Sequence, residues 1–278
     1  MKTNNKQKKI EKIPHLTPEK LLGGMFGKDT FNGINIAILG YCPRPDIMNK
    51  YNPKQVKDQN FILVPPSCVE ICEFNGVRFL HIFHIYGGPV SASIIEELEY
   101  YGIKIVLAYG LAGGLGTFKQ DLGDFYLVEK ALASDGTTPH YTDKEIVYSS
   151  NILNSTIREL ANSRNLKEMK SVQSFTSDAI YREYSENFDY ARKKGCDIVN
   201  CDCGHLFAAS NKVGILSTLC GVLSDITSSE EGKQKSSLSV MLSDTNTNKL
   251  NPLALTGEIV EFYIETLMDK IIATILPK

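Results

Sequence analysis

Residues 87–116 read GGPVSASIIEELEYYGIKIVLAYGLAGGLG, and this stretch decides the fold class. Pro89 near the start and Gly102 after the end of its first part bracket a predicted helix. The apolar run IKIVLAY follows at once, predicts a buried strand and leads into a cluster of glycines. Another predicted strand, DFYLVEKAL, comes next. Because strand, helix and glycine turn alternate as a mainly parallel sheet requires, the sequence predicts an α/β protein.

The composition limits the class of partner. A chain of 278 residues, 42% of them hydrophobic, is long enough to bury one large core as a single domain. The net charge of -2 and a pI near 6.2 provide no basic surface for a phosphate backbone. We therefore expect small-molecule partners rather than nucleic acid.

The cysteines and the N-terminus indicate the compartment. Seven cysteines, mostly in apolar runs, are typical of reduced thiols inside a cell, and neither CVEIC nor CDC has the paired spacing of a zinc site. No apolar run resembles a secretory signal or approaches membrane-spanning length. The sequence predicts a cytoplasmic protein with no metal and no membrane partner. We expect a disordered tail over residues 1–12 and one domain over 13–278.

Five segments resemble one protein family when they are taken in order. They are GGPVSASIIEELEYYGIKIVLAYGLAGGLG, LGDFYLVEKALASDGTTPHY, FTSDAIY, IVNCDCGHLFAAS and GVLSD. Together they resemble the purine nucleoside and uridine phosphorylase family, which also contains the methylthioadenosine nucleosidases. The resemblance implies a single α/β domain whose mixed central sheet is partly closed into a barrel and surrounded by helices. It also implies a homo-oligomer, a dimer or hexamer, with active sites near the subunit contacts.

A carboxylate stands between a strand and a helix in IVNCDCGHLFAAS. The family segment that corresponds to IVNCDCGHL usually reads VEMEAAAL, and its second Glu binds the ribose 2′- and 3′-hydroxyls. Asp202 takes that place here, with Cys201 beside it as a further substrate contact. A carboxylate accepts two hydroxyl donors well and stabilises the positive charge that develops on the sugar. The alternative is that Asp202 is only the N-cap of the helix.

A second acid is expected to protonate the leaving base. A purine leaves poorly as an anion, so a general acid at its N7 lowers the barrier. In purine-selective relatives an SD motif supplies this acid, and the resemblance assigns the role to Asp225, which follows Ser224. Uridine-selective members generally lack this acid, so Asp225 favours a purine substrate.

Three further residues match family positions around the nucleoside. Phe175 falls where the family stacks an aromatic ring on the base, and Tyr86 falls where a Met usually lines the sugar. His15 resembles an early histidine that reaches the ribose 5′-hydroxyl of a neighbouring subunit. As alternatives, Phe175 and Tyr86 are ordinary core aromatics and His15 is a surface residue.

The phosphate-binding pattern is incomplete. The family motif GDPxR becomes GYCPR, which keeps Gly40 and Arg44 as phosphate ligands. The second motif, IRVGTxG, becomes LAYGLAG, so Ala108 replaces an Arg and Leu111 replaces a hydroxyl. A bound dianion would lose one bidentate partner and one donor, which weakens the expected phosphate site.

Three interpretations remain open at this point. The first is phosphorolysis of a purine nucleoside, with inorganic phosphate as co-substrate and no cofactor. The second is a hydrolytic nucleosidase, in which Asp46 in the loop after the first strand would activate water. The third is a non-catalytic relative that binds a nucleoside or serves as a partner subunit. In any of these, the polar segment 227–250 is predicted to be a loop or a mobile lid.

Overall fold

Five strands from separate parts of the chain close into a small barrel. The computed structural model describes residues 14–161, 169–227, 235–236 and 251–276. In the barrel, β5 pairs with β10, β10 with β6, β6 with β8, β8 with β9, and β9 returns to β5. The strands of the described chain are β1 (Ile36–Gly40), β2 (Lys54–Gln55), β3 (Val69–Phe74), β4 (Val77–Ile82), β5 (Ile105–Gly114), β6 (Phe125–Ala133), β7 (Ile146–Tyr148), β8 (Lys170–Thr176), β9 (Ile198–Asn200), β10 (Leu216–Ile226) and β11 (Lys235–Ser236).

The sheet is mixed and continues beyond the barrel on one side. β1 lies parallel to β5 and to β4, and β3 and β2 extend the sheet in antiparallel pairing. Two short strands, β7 and β11, pair with β6 and β10. This mixed sheet, partly closed into a barrel with helices around it, confirms the predicted fold class.

The helices surround this sheet. They are α1 (Pro18–Leu22), α2 (Gly88–Tyr100), α3 (Asn151–Ala161), α4 (Ser185–Lys193), α5 (Cys203–Val213), α6 (Pro252–Phe262) and α7 (Met268–Thr274), with one π-helical turn (Tyr263–Leu267) between the last two. α2 and α5 bury apolar residues in a core that includes Ile94 and Phe207, whereas Tyr263 buries its ring in a second core on the other face. None of the helices in the described ranges is long and apolar enough to cross a membrane.

The glycine cluster after IKIVLAY is strand rather than turn, which corrects the sequence-based prediction. β5 runs to Gly114, and its last residues pair with β9. A Cβ atom on Gly113 would lie 2.9 Å from a carboxylate oxygen of Asp225, and one on Gly114 would lie 2.6 Å from Oε1 of Gln120. The glycines are therefore explained by side chains that approach a strand closely.

Two predictions fall on parts of the chain that the structure does not describe. The predicted tail, residues 1–12, lies outside the described residues, and so does most of the predicted lid, 227–250. Within that segment only Thr227 and the backbone of β11 are described.

Candidate functional site

A cavity of about 480 Å³ opens where several strands end. Its walls come from the carboxyl-terminal residues of β5, β9 and β10, from the loops after β1 and β4, and from the segment around α4. Ligands of open α/β sheets bind at this edge. The lining residues are Tyr41, Cys42, Pro43, Tyr86, Leu111, Ala112, Gly113, Ile180, Glu183, Phe188, Val199, Asn200, Cys201, Asp202, Ser224, Asp225 and Thr227.

Asp202 occupies the N-cap position of α5 but does not cap the helix. Its side chain makes no capping hydrogen bond. The first amides of the helix are satisfied by other side chains, since Gly204 N donates to Thr176 Oγ1 at 2.8 Å and Cys203 N donates to Asn200 Oδ1 at 3.4 Å. The alternative that Asp202 serves only as the N-cap of α5 is therefore wrong. Its carboxylate faces the cavity instead.

The carboxylate of Asp202 faces the cavity rather than a protein partner. The residue is only 6% exposed, and no hydrogen bond joins its carboxylate to any other residue that the structure describes. Burial alone raises the pKa of Asp202 well above its usual range. A buried polar group without a partner in its own protein is the group that a ligand is expected to satisfy.

Asp225 reaches the same cavity from the end of β10. Its Oδ1 atom accepts a hydrogen bond from Ser224 Oγ at 2.9 Å. The register of β10 against β5 shifts between Leu223 and Asp225, which is the mark of a β-bulge. Ser224 and Asp225 are consecutive, yet both line the cavity, an arrangement that strict strand alternation would not allow.

Two other predicted site residues line the cavity. Tyr86 stands at its mouth, 55% exposed, with its hydroxyl 3.2 Å from His84 Nδ1. Cys201 lies next to Asp202, and burial, followed by the charge of Asp202, raises the pKa of its thiol to about 12. The thiol is therefore neutral at physiological pH and contributes shape rather than charge.

Two predicted residues lie elsewhere. Phe175 is buried in a small hydrophobic cluster with Phe188 and Val199, and it is not among the residues that line the cavity. The aromatic ring of this cluster that does line the cavity is Phe188, from α4. His15 is exposed at the start of the described chain, where its carbonyl accepts a hydrogen bond from Lys20 Nζ at 2.9 Å.

The predicted phosphate ligands are engaged in contacts outside the cavity. Arg44 Nε donates to both carboxylate oxygens of Glu70, at 2.8 and 2.9 Å, and lines a neighbouring cavity together with Asp46. Gly40 ends β1 against the ring of Tyr109, which occupies the space that a Cβ atom would need. Neither Arg44 nor Gly40, nor the alternative water base Asp46, lines the cavity that holds Asp202 and Asp225.

Glu70 is the centre of a chain of buried partners behind Arg44. The Nδ1 atom of His81 lies 3.1 Å from Glu70 Oε2, and its Nε2 atom lies 2.9 Å from the hydroxyl of Tyr109. Burial lowers the pKa of His81, so the ring is neutral, donates to Glu70 and accepts from Tyr109. Burial would raise the pKa of Glu70, but the bonds from His81 and Arg44 outweigh it and lower that pKa.

Glu183 and Tyr41 are two polar lining residues that sequence reasoning missed. Glu183 follows the short 3₁₀ turn Ile180–Arg182, and no pattern in the surrounding sequence marks it. Tyr41 follows β1, and its hydroxyl lies 2.5 Å from Ser91 Oγ. This hydrogen bond connects the loop after β1 to α2. Glu183 matters for charge, because the described lining then holds three carboxyl groups and no Lys, Arg or His.

A cavity at the ends of barrel strands, with a buried carboxylate facing it, is typical of a small-molecule site. Residues 69–254 match the family model described as the phosphorylase superfamily. The chain therefore belongs to this superfamily, which contains nucleoside phosphorylases and nucleosidases. An uncharacterized protein of Acanthamoeba polyphaga mimivirus is 31% identical over 215 residues, which cover 77% of this chain and 83% of that protein.

Solved structures agree with this assignment at the level of the fold. A 5′-methylthioadenosine/S-adenosyl homocysteine nucleosidase of Campylobacter jejuni superposes with a TM-score of 0.64 at 13% identity, covering 86% of this chain and all of the other. A uridine phosphorylase of Vibrio fischeri gives 0.64 at 19% identity, with 87% and 94% covered. An AMP nucleosidase of Bacteroides thetaiotaomicron gives 0.60 at 17%, with 75% and 87% covered. Both phosphorolytic and hydrolytic enzymes share this fold.

Proposed function

We propose that the protein cleaves the N-glycosidic bond of a purine nucleoside, with water as the nucleophile. The observation that carries the proposal is the buried carboxylate of Asp202, which faces the cavity with no hydrogen-bond partner among the described residues. Two vicinal hydroxyl groups of a ribose would supply two donors to this one acceptor group. Their binding would offset the cost of burying the carboxylate.

The same carboxylate favours the reaction as well as the binding. Breaking the bond between C1′ and the base gives the sugar oxocarbenium character in the transition state. The ionised form of Asp202, held in a site of low dielectric constant, stabilises that charge more strongly than water would. Because the hydroxyl donors hold Asp202 in its ionised form, substrate binding prepares the site for the bond cleavage.

Asp225 supplies the proton that the leaving base needs. When the C1′–N9 bond breaks, its electron pair passes to the purine, and the proton of Asp225 passes to N7. Water then adds to C1′ and releases one proton, and solvent restores the proton on Asp225 after the base has left. The hydrogen bond from Ser224 Oγ to Oδ1 fixes the orientation of the carboxyl group.

Water fits the cavity better than phosphate does. Asp202, Asp225 and Glu183 line it, and its described lining contains no Lys, Arg or His to balance a dianion. A phosphate dianion would find no cation in this lining, and the retained Arg44 already pairs with Glu70. Phosphorolysis, the first expectation from the sequence, is the second candidate. It is favoured by the retention of Gly40 and Arg44, and it would require phosphate to compete with Glu70.

The test is release of free base from adenosine, inosine and methylthioadenosine by the purified protein, with and without added phosphate. We expect release at the same rate in both conditions, loss of release in Asp202→Asn and Asp225→Asn, and normal release in Asp58→Asn, an exposed aspartate outside the cavity. Release that depends on phosphate would support the second candidate instead. No release, with a nucleoside still raising the melting temperature, would indicate a non-catalytic binding protein.

A further inference from the structure

His205, on the first turn of α5, is a buried histidine that the proposed chemistry does not use. Its side chain is fully buried, and its Nε2 atom lies 2.6 Å from the carbonyl oxygen of Cys201. A carbonyl oxygen only accepts hydrogen bonds, so Nε2 carries the proton and donates. Burial lowers the pKa of His205 and outweighs the opposite effect of this hydrogen bond, so the ring is neutral.

The other nitrogen of this ring gains nothing from its burial. The Nδ1 atom of His205 has no hydrogen-bond partner in the part of the chain that the structure describes. A Cβ atom on Gly88 would lie 3.2 Å from Cδ2 of His205, so the ring packs closely against the start of α2. An apolar side chain could fill this space without burying an unpartnered nitrogen. The hydrogen bond to Cys201 is therefore what the histidine contributes.

This hydrogen bond acts on the peptide group that leads into Asp202. The carbonyl of Cys201 and the amide of Asp202 belong to one planar group, which lies between β9 and α5. His205 holds the carbonyl at 2.6 Å, and Oδ1 of Asn200 accepts from the amide over a longer distance of 3.4 Å. Contacts at both ends of a planar group fix its orientation, and the bond from His205 is the shorter and stronger of the two.

We propose that His205 is a positioning residue, which directs the carboxylate of Asp202 into the cavity by holding this peptide group. The carboxylate makes no hydrogen bond within the described chain, so its direction depends on the backbone that carries it. A displacement of about 1 Å at a reacting centre costs about 10²-fold in rate. The inference rests on the proposed function, because it assumes that Asp202 binds the substrate. It goes beyond that function by assigning a role to a residue outside the lining of the cavity.

A matched pair of substitutions separates the hydrogen bond from the packing. Methionine and glutamine have nearly the same length and shape, but only glutamine carries an N–H donor for the carbonyl of Cys201. In His205→Met we expect kcat for release of the base to fall by about tenfold to hundredfold. KM should change less, because Asp202 acts most strongly on the charge of the transition state. His205→Gln should recover most of the lost kcat.

The melting temperatures of the two variants distinguish positioning from packing. A side chain that only fills space would favour His205→Met, which buries no unpartnered polar group. Stability should therefore rank His205→Met at or above His205→Gln, whereas kcat should rank them in the opposite order. A kcat in His205→Met equal to that of the wild type, or a loss that His205→Gln does not recover, would overturn the assignment.

Hydrogen exchange separates failure of this inference from failure of the proposed function. Mass spectrometry of peptides that cover residues 198–206 reports on the amide of Asp202 in the free protein and requires no turnover. Faster exchange in His205→Met than in the wild type and His205→Gln supports the assignment even if no nucleoside is cleaved, in which case the proposed hydrolysis alone is wrong. Equal exchange in all three proteins overturns the assignment whatever their activity.

Discussion

Two acidic side chains in this protein, the partly buried Glu70 and the buried Asp202, have opposite surroundings. Glu70 receives two hydrogen bonds from Arg44 Nε and one from His81, and the hydroxyl of Tyr109 completes the chain. Asp202, on the far side of the loop after β1, has no such partner among the described residues. Accordingly, the pKa of Glu70 is lowered despite burial, whereas burial raises the pKa of Asp202.

The contrast separates a structural acid from a functional one. A carboxylate that its own protein has already satisfied gains little from a ligand, and a ligand must displace its partners. A carboxylate that is buried and unsatisfied destabilises the folded protein until a donor arrives. By this criterion the contacts of Glu70 maintain the fold, and Asp202 is the acid that we propose binds substrate.

The largest effect is expected from the acid that shares the cavity with Asp202. Asp225→Asn removes the proton donor for the leaving base and should lower the rate of base release by about 10²- to 10⁴-fold. The side chain keeps its shape and can still accept from Ser224, so the melting temperature should change little. Rates measured by release of free purine, alongside a thermal melt, check both statements. A fully active variant would remove Asp225 from the mechanism.

The next largest effect is expected from substitution of Glu70, the acid that Arg44 and His81 already satisfy. Glu70→Ala leaves Arg44 and His81 without their partner, and the free energy of unfolding should fall by about 2 to 3 kcal/mol. Because the folded-state pKa of Glu70 is lowered, the stability it contributes is present above the unfolded pKa of about 4.3 and is lost as the pH falls through the folded value. Urea unfolding at neutral and acidic pH measures this, with the exposed Glu73→Ala on the same strand as control.

Substitution of Asp202, which has no partner among the described residues, is expected to increase the stability of the protein. Asp202→Asn removes a buried acid whose ionisation the fold suppresses, and it should raise the free energy of unfolding by about 1 to 2 kcal/mol while abolishing base release. Because the folded-state pKa of Asp202 is raised, its penalty begins above the unfolded pKa of about 3.9 and grows as the pH rises toward the folded value. The gain should therefore be larger at neutral pH than at pH 4. A less stable variant would contradict the contrast with Glu70.

The smallest effect is expected from removing the hydroxyl of Tyr109, which is the last hydrogen-bonding group in the chain that begins at Arg44 and Glu70. Tyr109→Phe keeps the ring that packs against Gly40 but removes the hydroxyl that donates to His81 Nε2. A loss of about 1 kcal/mol in the free energy of unfolding is expected, with base release unchanged. Tyr148→Phe, at an exposed tyrosine, is the matched control. Equal melting curves for the two variants would show that the network adds no stability.

Much of the fold could be predicted because it depends on local pattern. The apolar runs and the glycine and proline residues between them predicted strands and helices in alternation, and the barrel was expected only from the resemblance of five segments to a known family. The family resemblance indicated Asp202 and Asp225, and the structure places both in one cavity where strands end. The strand through Gly113 and Gly114 was not predictable, because only side chains from β10 and the loop before β6 explain it.

The sequence alone determined the class of the fold, because periodicity and residue order act over short distances along the chain, and its resemblance to a known family indicated the two acids of the cavity. Tertiary structure decided the rest. It paired Arg44 with Glu70, which lies 26 residues further along the chain. It also buried the ring of Phe175 in a hydrophobic cluster beside the cavity. It also brought Glu183 and Asp225 to the lining of one cavity. The charge balance of a cavity depends on which distant side chains meet there, and that is fixed only when the barrel closes.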